Sequence, residues 1–443
     1  MGGATIFALA SGAGRAGVAV VRVSGPAVPR VLEAMAGEVP PPRRAVLRTL
    51  RHPVTGVALD RALVLRFEAP ASFTGEAVAE FHVHGGRAVV AAVAEALVAC
   101  GGGVRPAEAG EFTRRAFLNG RLDLTAAEGI ADLVAAETEA QRRQALAQAA
   151  GALAVRLEDW AGRLTRALAL AEAAIDFADD GVGAEAEREG LALAGAVAEE
   201  MAAALLGAGR AERVRAGFRV AIIGAPNAGK SSLLNALAGR EVAIVSSRAG
   251  TTRDVIEVRL DLRGQAVTVA DMAGLREAED EIEAEGVRRA LAWASEADLL
   301  LAVFDGTVAE PDRATVEALG WGEGRWIGVA SKADLGCSLR SVAGRELLPV
   351  SAVTGEGADA LLDAVAAAIE PGGGEGEAVL TRARHRAGVA EAESALRRAV
   401  TMPLAELRAE ELRAALRALG RLTGRVDVED LLDQVFATFC IGK

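Results

Sequence analysis

The sequence has no tyrosine, only 3 cysteines and 4 histidines, and no surplus of basic charge. Cys100, Cys337 and Cys440 show neither zinc-ligand nor redox spacing, and the chain is no small secreted scaffold, so reduced thiols are the simplest account. The missing tyrosine accompanies an excess of alanine and glycine, a bias of GC-rich coding sequence that points to no function. With 49 basic and 61 acidic side chains, the formal net charge is -12. General nucleic-acid binders carry a basic surplus, so any RNA contact here must come from a local patch or from a partner. The N-terminus lacks the basic-then-apolar pattern of a signal peptide. The longest apolar stretch, Leu191–Gly209, is interrupted by Glu199 and Glu200 and reads as a helix of a soluble protein, not a membrane span. No repeat of fixed period is present.

What is present falls into three textures over 443 residues, enough for two or three domains. Up to about Gly120 the chain is mixed: Val18–Val23 and Leu63–Phe67 read as strands and Ala88–Ala99 as a helix. From Leu122 to about Ala216 turn signals almost vanish, and leucine, isoleucine and valine recur at helical spacing. At Phe218 the pattern changes to short apolar runs alternating with helices: Phe218–Ile223, Val267–Ala270, Leu299–Phe304 and Trp326–Ala330. That alternation predicts a parallel α/β sheet. Pro371-Gly372-Gly373-Gly374 reads as a linker. Helices then return, with Leu412, Leu416 and Leu419 on one face of the last. The order predicts an α/β unit inserted between two helical segments that pack together.

Gly224-Ala225-Pro226-Asn227-Ala228-Gly229-Lys230-Ser231 fits the phosphate loop G-x-x-x-x-G-K-[ST], after a predicted strand and before a helix at Ser232–Ala238. Its backbone N–H groups would curl around phosphates, Lys230 would reach the β- and γ-phosphates, and the Ser231 hydroxyl would bind Mg²⁺. Asp271-Met272-Ala273-Gly274 follows a strand some forty residues later, with Asp271 placed to hold Mg²⁺ through water and the Gly274 N–H to sense the γ-phosphate. Gly250-Thr251-Thr252-Arg253-Asp254 lies between them; it is a switch loop or, taken alone, a solvated turn. Ser331-Lys332-Ala333-Asp334 fits base selection, because the Asp334 carboxylate accepts two hydrogen bonds from guanine and rejects adenine. Ser351-Ala352 fits a final base-contacting loop. The usual tetrad begins with Asn, and Ser331 predicts weaker binding with guanine preference kept.

Two features bear on hydrolysis. Where many GTPases have the water-orienting Gln after D-x-x-G, this chain has Leu275, so another group must position water. An acidic run follows, Glu277, Glu279, Asp280, Glu281, Glu283 and Glu285, which otherwise reads as a solvated helix face. Arginine fingers neutralise transition-state charge in related enzymes; Asn227 is either a plain turn residue or, with carbonyls of the switch, the ligand of a monovalent cation in that place.

Together these residues resemble the bacterial tRNA modification GTPases of the MnmE (TrmE) family along the whole chain. The resemblance takes in Ser232-Leu233-Leu234-Asn235-Ala236-Leu237 after the phosphate loop, and Asp271–Glu277. It also takes in Ser72-Phe73-Thr74-Gly75-Glu76, Gly110-Glu111-Phe112, Ala116-Phe117-Leu118-Asn119 and the terminal Phe439-Cys440-Ile441-Gly442-Lys443. It implies an α/β P-loop GTPase domain (217–371) inserted into an all-α helical domain (121–216 and 372–443), preceded by an α+β folate-binding and dimerisation domain (1–120). It implies a potassium-dependent, cytoplasmic GTPase that forms a homodimer through its N-terminal domain, with the G domains meeting across the nucleotide.

The resemblance also assigns residues. GTP would touch Asn227, Ala228, Gly229, Lys230, Ser231 and Ser232, then Ser246, Ser247, Arg248, Ala249, Gly250, Thr251 and Thr252. Asp271, Met272, Ala273, Gly274, Ser331, Lys332, Ala333, Asp334, Ser351, Ala352 and Val353 complete the set. Potassium would lie on Asn227 and carbonyls near Ser246, Arg248 and Thr251. Magnesium would lie on Ser231 and Thr252. Glu283, twelve positions after Asp271, falls at the catalytic glutamate. A one-carbon donor, 5-formyltetrahydrofolate, would bind Arg22, Glu80, Arg121 and Lys443, which the residues alone would not have singled out. Cys440 falls near the tRNA chemistry or is a buried inert thiol. His82 and His84 share a strand face without an evident third ligand, so a structural role is favoured over a metal. The family works with an MnmG-type flavoprotein on tRNA, attaching an aminomethyl or carboxymethylaminomethyl group to C5 of the wobble uridine. No dinucleotide fingerprint occurs here, so the redox step would fall to that partner. A regulatory switch GTPase of ribosome assembly shares the same G motifs, and a dimeric scaffold with vestigial nucleotide binding is a third reading.

Overall fold

The computed structural model describes residues 3–176, 181–240, 242–244, 256–271, 296–322, 325–369 and 379–426, together with 432, 435–437, 439, 441 and 442. It divides into two compact units. One comprises residues 1–131, 148–198 and 391–443, the other 132–147 and 199–390.

The first unit opens with an α+β fold. Strands β1 (Thr5–Leu9), β2 (Ala16–Ser24), β3 (Val46–Arg51), β4 (Ala58–Phe67), β5 (Val78–Gly85) and β6 (Val104–Pro106) form one sheet in the order β3-β4-β5-β2-β1-β6. Helices α1 (Val28–Ala36) and α2 (Arg87–Ala99) lie on one face. There Val21, Val23, Leu50, Val64 and Phe81 pack with Val31, Leu32, Val93 and Leu97, which follows from the strands' period of two. Val18, Leu47 and Leu63 are exposed. The predicted strands within 18–23 and 63–67 and the helix at 88–99 are therefore present, each somewhat longer than its apolar run.

After α3 (Glu111–Leu118) come the long helices α4 (Leu124–Ala135), α5 (Glu139–Ala149), α6 (Ala152–Asp176) and α7 (Gly181–Ala216). In α6, Leu153, Leu157, Trp160, Leu164, Ala167 and Ala171 form one buried stripe at steps of three and four. This helix packs along the last one, Ala405–Thr423, in which Leu412 and Leu419 are buried and Leu416 only half so. Among the described residues α7 is the one helix long and apolar enough to cross a membrane, by length and composition alone. Ala186, Ala194, Val197 and Met201 of that helix are buried inside the protein.

The C-terminus returns to the first unit's own N-terminal part. Phe436 and Phe439 pack with Leu124 and Phe117, and Ile441 bridges Ala109. Gly442 has φ +105°, and a Cβ there would lie 2.2 Å from the Leu9 carbonyl oxygen, so no other residue fits.

The second unit is built on a sheet in the order β14-β11-β10-β7-β9-β8. Its strands are β7 (Phe218–Ile223), β8 (Ile256–Leu262), β9 (Gln265–Asp271), β10 (Leu299–Asp305), β11 (Trp326–Ser331) and β14 (Leu348–Pro349); β12 (Ser341–Val342) and β13 (Arg345–Glu346) form a separate ribbon. All pairs in the sheet are parallel except β8 with β9. Helices α8 (Lys230–Ala238), α9 (Arg313–Ala318) and α10 (Ala358–Ile369) accompany it, and α11 (Ala383–Thr401) and α12 (Ala405–Thr423) follow. Central strands buried on both faces explain the unbroken apolar runs. Within this unit α5 docks on the β8–β9 turn, where the Ala140 N–H donates to the Gly264 carbonyl over 3.1 Å.

Candidate functional site

β7 runs into Gly224 and the chain re-emerges as α8 at Lys230, so the intervening loop sits at the C-terminal edge of a parallel sheet. Two glycines make the loop possible. A Cβ on Gly224 would lie 2.3 Å from the Val303 carbonyl oxygen of β10, and Gly229 has φ +92°. Asn227 also sits in the left-handed region, at φ +63°, on the exposed crest of the turn.

Inside this loop the Lys230 ammonium donates to the Gly224 and Ala225 carbonyls, each at 2.8 Å. Burial pushes its pKa down, against the pull of Asp271 and Asp312. The Ser231 hydroxyl donates to Asp271 Oδ2 over 2.6 Å. Asp271 is 5% exposed, and its other oxygen, Oδ1, is buried with no hydrogen-bond partner. A buried lone oxygen beside a hydroxyl is a donor set of hard oxygens suited to Mg²⁺ with its retained waters.

The base-reading segment is tied to the same loop. Ser331 Oγ lies 2.6 Å from the Ala228 carbonyl and 3.0 Å from that of Phe304, and donates its single proton there. Serine in the place of the usual asparagine thus binds the end of β11 to the phosphate loop. Lys332, at φ +57°, donates to Asp305 Oδ2 over 2.6 Å. That bond, with Thr307, holds the Asp305 carboxyl at a pKa of about 2. The Ser351 hydroxyl donates to Asp334 Oδ1 over 2.6 Å and accepts from the N–H groups of Val353 and Thr354. Ala333 N–H donates to the Val350 carbonyl at 3.3 Å. The Ser351 loop therefore aims the Asp334 carboxylate, a link invisible in a two-residue motif.

The second cluster lies in the first unit. Arg22 on β2 and Glu80 on β5 are register partners, and Arg22 Nε donates to Glu80 Oε1 at 3.0 Å. The guanidinium stands 5.5 Å from the Phe73 ring centre and 5.9 Å from that of Phe112. Arg121 borders Gly75 of the same 72–76 segment, whose Thr74 carbonyl accepts from Asn119 Nδ2 at 2.6 Å. His82 approaches Glu80 at 3.4 Å and His84 bonds Asp60 at 2.8 Å, so each histidine has a carboxylate neighbour.

Comparison with known proteins gives these clusters a context. A family model described as the MnmE helical domain matches residues 124–440. A second, described as the GTP-binding protein TrmE N-terminus, matches residues 5–121. The tRNA modification GTPase MnmE of Rhodospirillum rubrum is 54% identical over 99% of both chains, and that of Caulobacter vibrioides 53% identical over 99% of both. The chain belongs to the MnmE family of tRNA modification GTPases. It is accordingly a GTPase that acts in tRNA modification and binds GTP and Mg²⁺. Among solved structures it is similar to Aquifex aeolicus Era bound to GDP and AlF4-, with a TM-score of 0.28, 27% identity, and 40% of this chain and 66% of that one covered. It is also similar to the T. maritima FeoB G domain, with a TM-score of 0.27, 23% identity, and 34% of this chain and 99% of that one covered.

The MnmE-family fold is that expected from the motifs: a P-loop GTPase domain inserted in a helical domain, after an α+β N-terminal domain. Of the candidate GTP residues, Asn227 to Ser232, Asp271, Ser331 to Asp334 and Ser351 to Val353 gather along one edge of the second sheet. Ser246 to Thr252, Met272, Ala273, Gly274, Glu283, Cys440 and Lys443 lie outside the described residues. Sequence reasoning missed Phe73 and the buried Phe112 as the rings beside Arg22, although both stood in segments that carried the family resemblance. It also missed Asp305, which has no motif of its own.

Proposed function

We propose that the chain is a potassium-dependent GTP hydrolase. As a homodimer, and with an MnmG-type flavoprotein in a heterotetramer, it adds an aminomethyl or carboxymethylaminomethyl group to C5 of the wobble uridine of certain tRNAs in the cytoplasm. The observation that carries the reading is the Ser231–Asp271 pair beside Lys230, with a buried Asp271 oxygen awaiting a partner.

In this reading the phosphates of GTP replace the Gly224 and Ala225 carbonyls as acceptors for Lys230, while N–H groups at the start of α8 meet them. Ser231 and Thr252 would hold Mg²⁺ with the help of Asp271, and the ion would supply positive charge beside the phosphates. Asn227 and carbonyls near Ser246, Arg248 and Thr251 would hold potassium, which would supply the charge that an arginine finger gives other GTPases. Glu283 orients the attacking water, a task Leu275 cannot perform. Asp334, aimed by Ser351, reads guanine. Ser232, Ser247, Ala249, Gly250, Met272, Ala273 and Gly274 line the rest of the nucleotide.

The one-carbon unit comes from 5-formyltetrahydrofolate. Glu80 suits the amide edge of its pteridine, and Arg22, Arg121 and Lys443 its anionic tail, with the partly buried Phe73 ring beside Arg22.

Two measurements test the reading. GTP hydrolysis should run severalfold faster in KCl than in NaCl, and equal rates remove the cation from Asn227. The chain should bind reduced folate; no binding at about millimolar folate leaves a regulatory switch GTPase as the better reading.

A further inference from the structure

A chain of net charge -12 that acts on tRNA must meet a polyanion somewhere, and repulsion at long range makes the location of its unpaired cations informative. Residues 40–70 carry six arginines, at 43, 44, 48, 51, 61 and 66, against two carboxylates, Asp60 and Glu68. Arg48, Arg51, Arg61 and Arg66 lie on the strand pair β3–β4 at one edge of the N-terminal sheet, and Arg43 and Arg44 lie just before β3.

The arginines are not equivalent. Arg48 is paired with Glu38 and Arg66 with Glu68. Arg43 donates to the Ala71 carbonyl at 2.7 Å and lies over the Phe67 ring. Arg44, Arg51 and Arg61 are exposed and have no carboxylate partner among the described residues. Arg51 makes one bond, to the Gly56 carbonyl of its own hairpin at 3.1 Å. The one carboxylate close by, Asp60, is taken by the N–H and ring nitrogen of His84. Register places Arg61 opposite Thr49 and Arg51 opposite Ala58, so the two arginines stand near each other on adjacent strands.

The arginine-rich α11 and α12 differ. There Arg397, Arg398, Arg413, Arg417 and Arg421 are each held by a glutamate, which leaves them little to offer an anion. Charges on an edge strand also guard against stray strand pairing. That purpose does not account for Arg61, because β4 is flanked on both sides, by β3 and β5.

We infer that the β3–β4 ribbon, through Arg44, Arg51 and Arg61, is the surface on which this chain grips the phosphate backbone of tRNA. The inference rests on the tRNA-modification reading. Guanidinium groups without carboxylates suit it, because each can give paired N–H donors to one phosphate.

The test uses the full chain and unmodified tRNA in filter binding between about 50 and 200 mM KCl, where phosphate contacts show as a salt slope. The triple variant Arg44→Ala, Arg51→Ala, Arg61→Ala should flatten the slope of log K against log salt by about two to three, from roughly 0.7–0.9 per lost phosphate contact. Its GTP hydrolysis without tRNA should be unchanged, and its thermal unfolding by circular dichroism should match that of the parent, which reports that the N-terminal sheet is folded. The corresponding triple lysine variant should retain the slope, and Arg413→Ala with Arg417→Ala should not alter it. A triple alanine variant that binds tRNA with unchanged affinity and slope overturns the ribbon while leaving the tRNA reading intact. Loss of flavoprotein binding with the tRNA slope kept overturns it in favour of a protein dock. If the unaltered chain holds no tRNA at the lowest salt, the tRNA contact by this chain falls as a whole.

Discussion

The nucleotide site and the Arg22–Glu80 site hold their charges by different means. Around Gly224–Ser231 the backbone does most of the holding: Lys230 rests on two main-chain carbonyls and Ser331 on two more. Around Arg22 side chains meet side chains: a guanidinium on a carboxylate, with two aromatic rings beside it. A backbone cradle needs glycines at fixed spacing, so it must be written contiguously. A side-chain site needs only that four or five residues converge, from strands and loops far apart in the chain. The first therefore keeps its frame when a side chain changes, so long as the glycines remain, and loses only what that side chain did; the second has no frame to fall back on.

The largest expected effect probes what side chains add to the backbone-held site. Asp334→Ala should keep the phosphate cradle and lose the base reader, so the preference for GTP over ATP should collapse, by up to about 10⁴-fold. Competition of ATP against labelled GTP measures it. A variant that still rejects ATP would mean that the backbone, not Asp334, selects the base. Next comes Glu283→Ala, expected to leave GTP affinity in place and to lower turnover by about 10²-fold or more, as for a lost base or water-positioning group. Single-turnover rates at saturating GTP decide; an unaltered rate returns Glu283 to a solvated face.

The contrast also explains what could be read from the residues. Gly224, Gly229, Lys230 and Asp271 are legible because phosphate binding dictates residue type and spacing together. The parallel sheet is legible because strands buried on both faces must be apolar throughout. Ser351 was nearly mute as a dipeptide; its meaning is the bond to Asp334, seventeen residues earlier, which no local pattern encodes. Asp305 was silent for the same reason. Arg22, Glu80 and Arg121 were reached only through family resemblance, since a charged residue on a strand has no spacing rule that marks a ligand. Phe73 and Phe112 lay inside the quoted segments, but their convergence on Arg22 is a product of the fold.

In the side-chain-held site a single substitution should cost most of the function. Glu80→Gln keeps the shape but loses the charge that faces Arg22, and a hydrogen bond to a charged group contributes about 1.5–3 kcal/mol. Reduced-folate affinity should fall about tenfold or more, by calorimetric titration, with GTP hydrolysis untouched. A fall of less than about twofold would show that groups other than the Arg22–Glu80 pair carry the binding and would erase the contrast.

The smallest effect sharpens the contrast from the other side. Asp305 braces Lys332 by one bond at the rim of the backbone-held site, and both side chains keep contact with water. Such half-exposed pairs contribute about 0.2–1 kcal/mol. Asp305→Asn should therefore raise KM for GTP by at most about fivefold and leave kcat unchanged. Because the Asp305 pKa is lowered to about 2, its bond to Lys332 is complete above the ordinary carboxylate range and lost only as pH falls from about 4 toward 2. Between pH 5 and 8 the ratio of KM in the variant to KM in the parent should accordingly stay constant. A ratio that drifts across that range would assign the effect to some other titrating group. A large fall in kcat would show that the base-reading rim reaches the phosphate chemistry through Ser331 and Ala228.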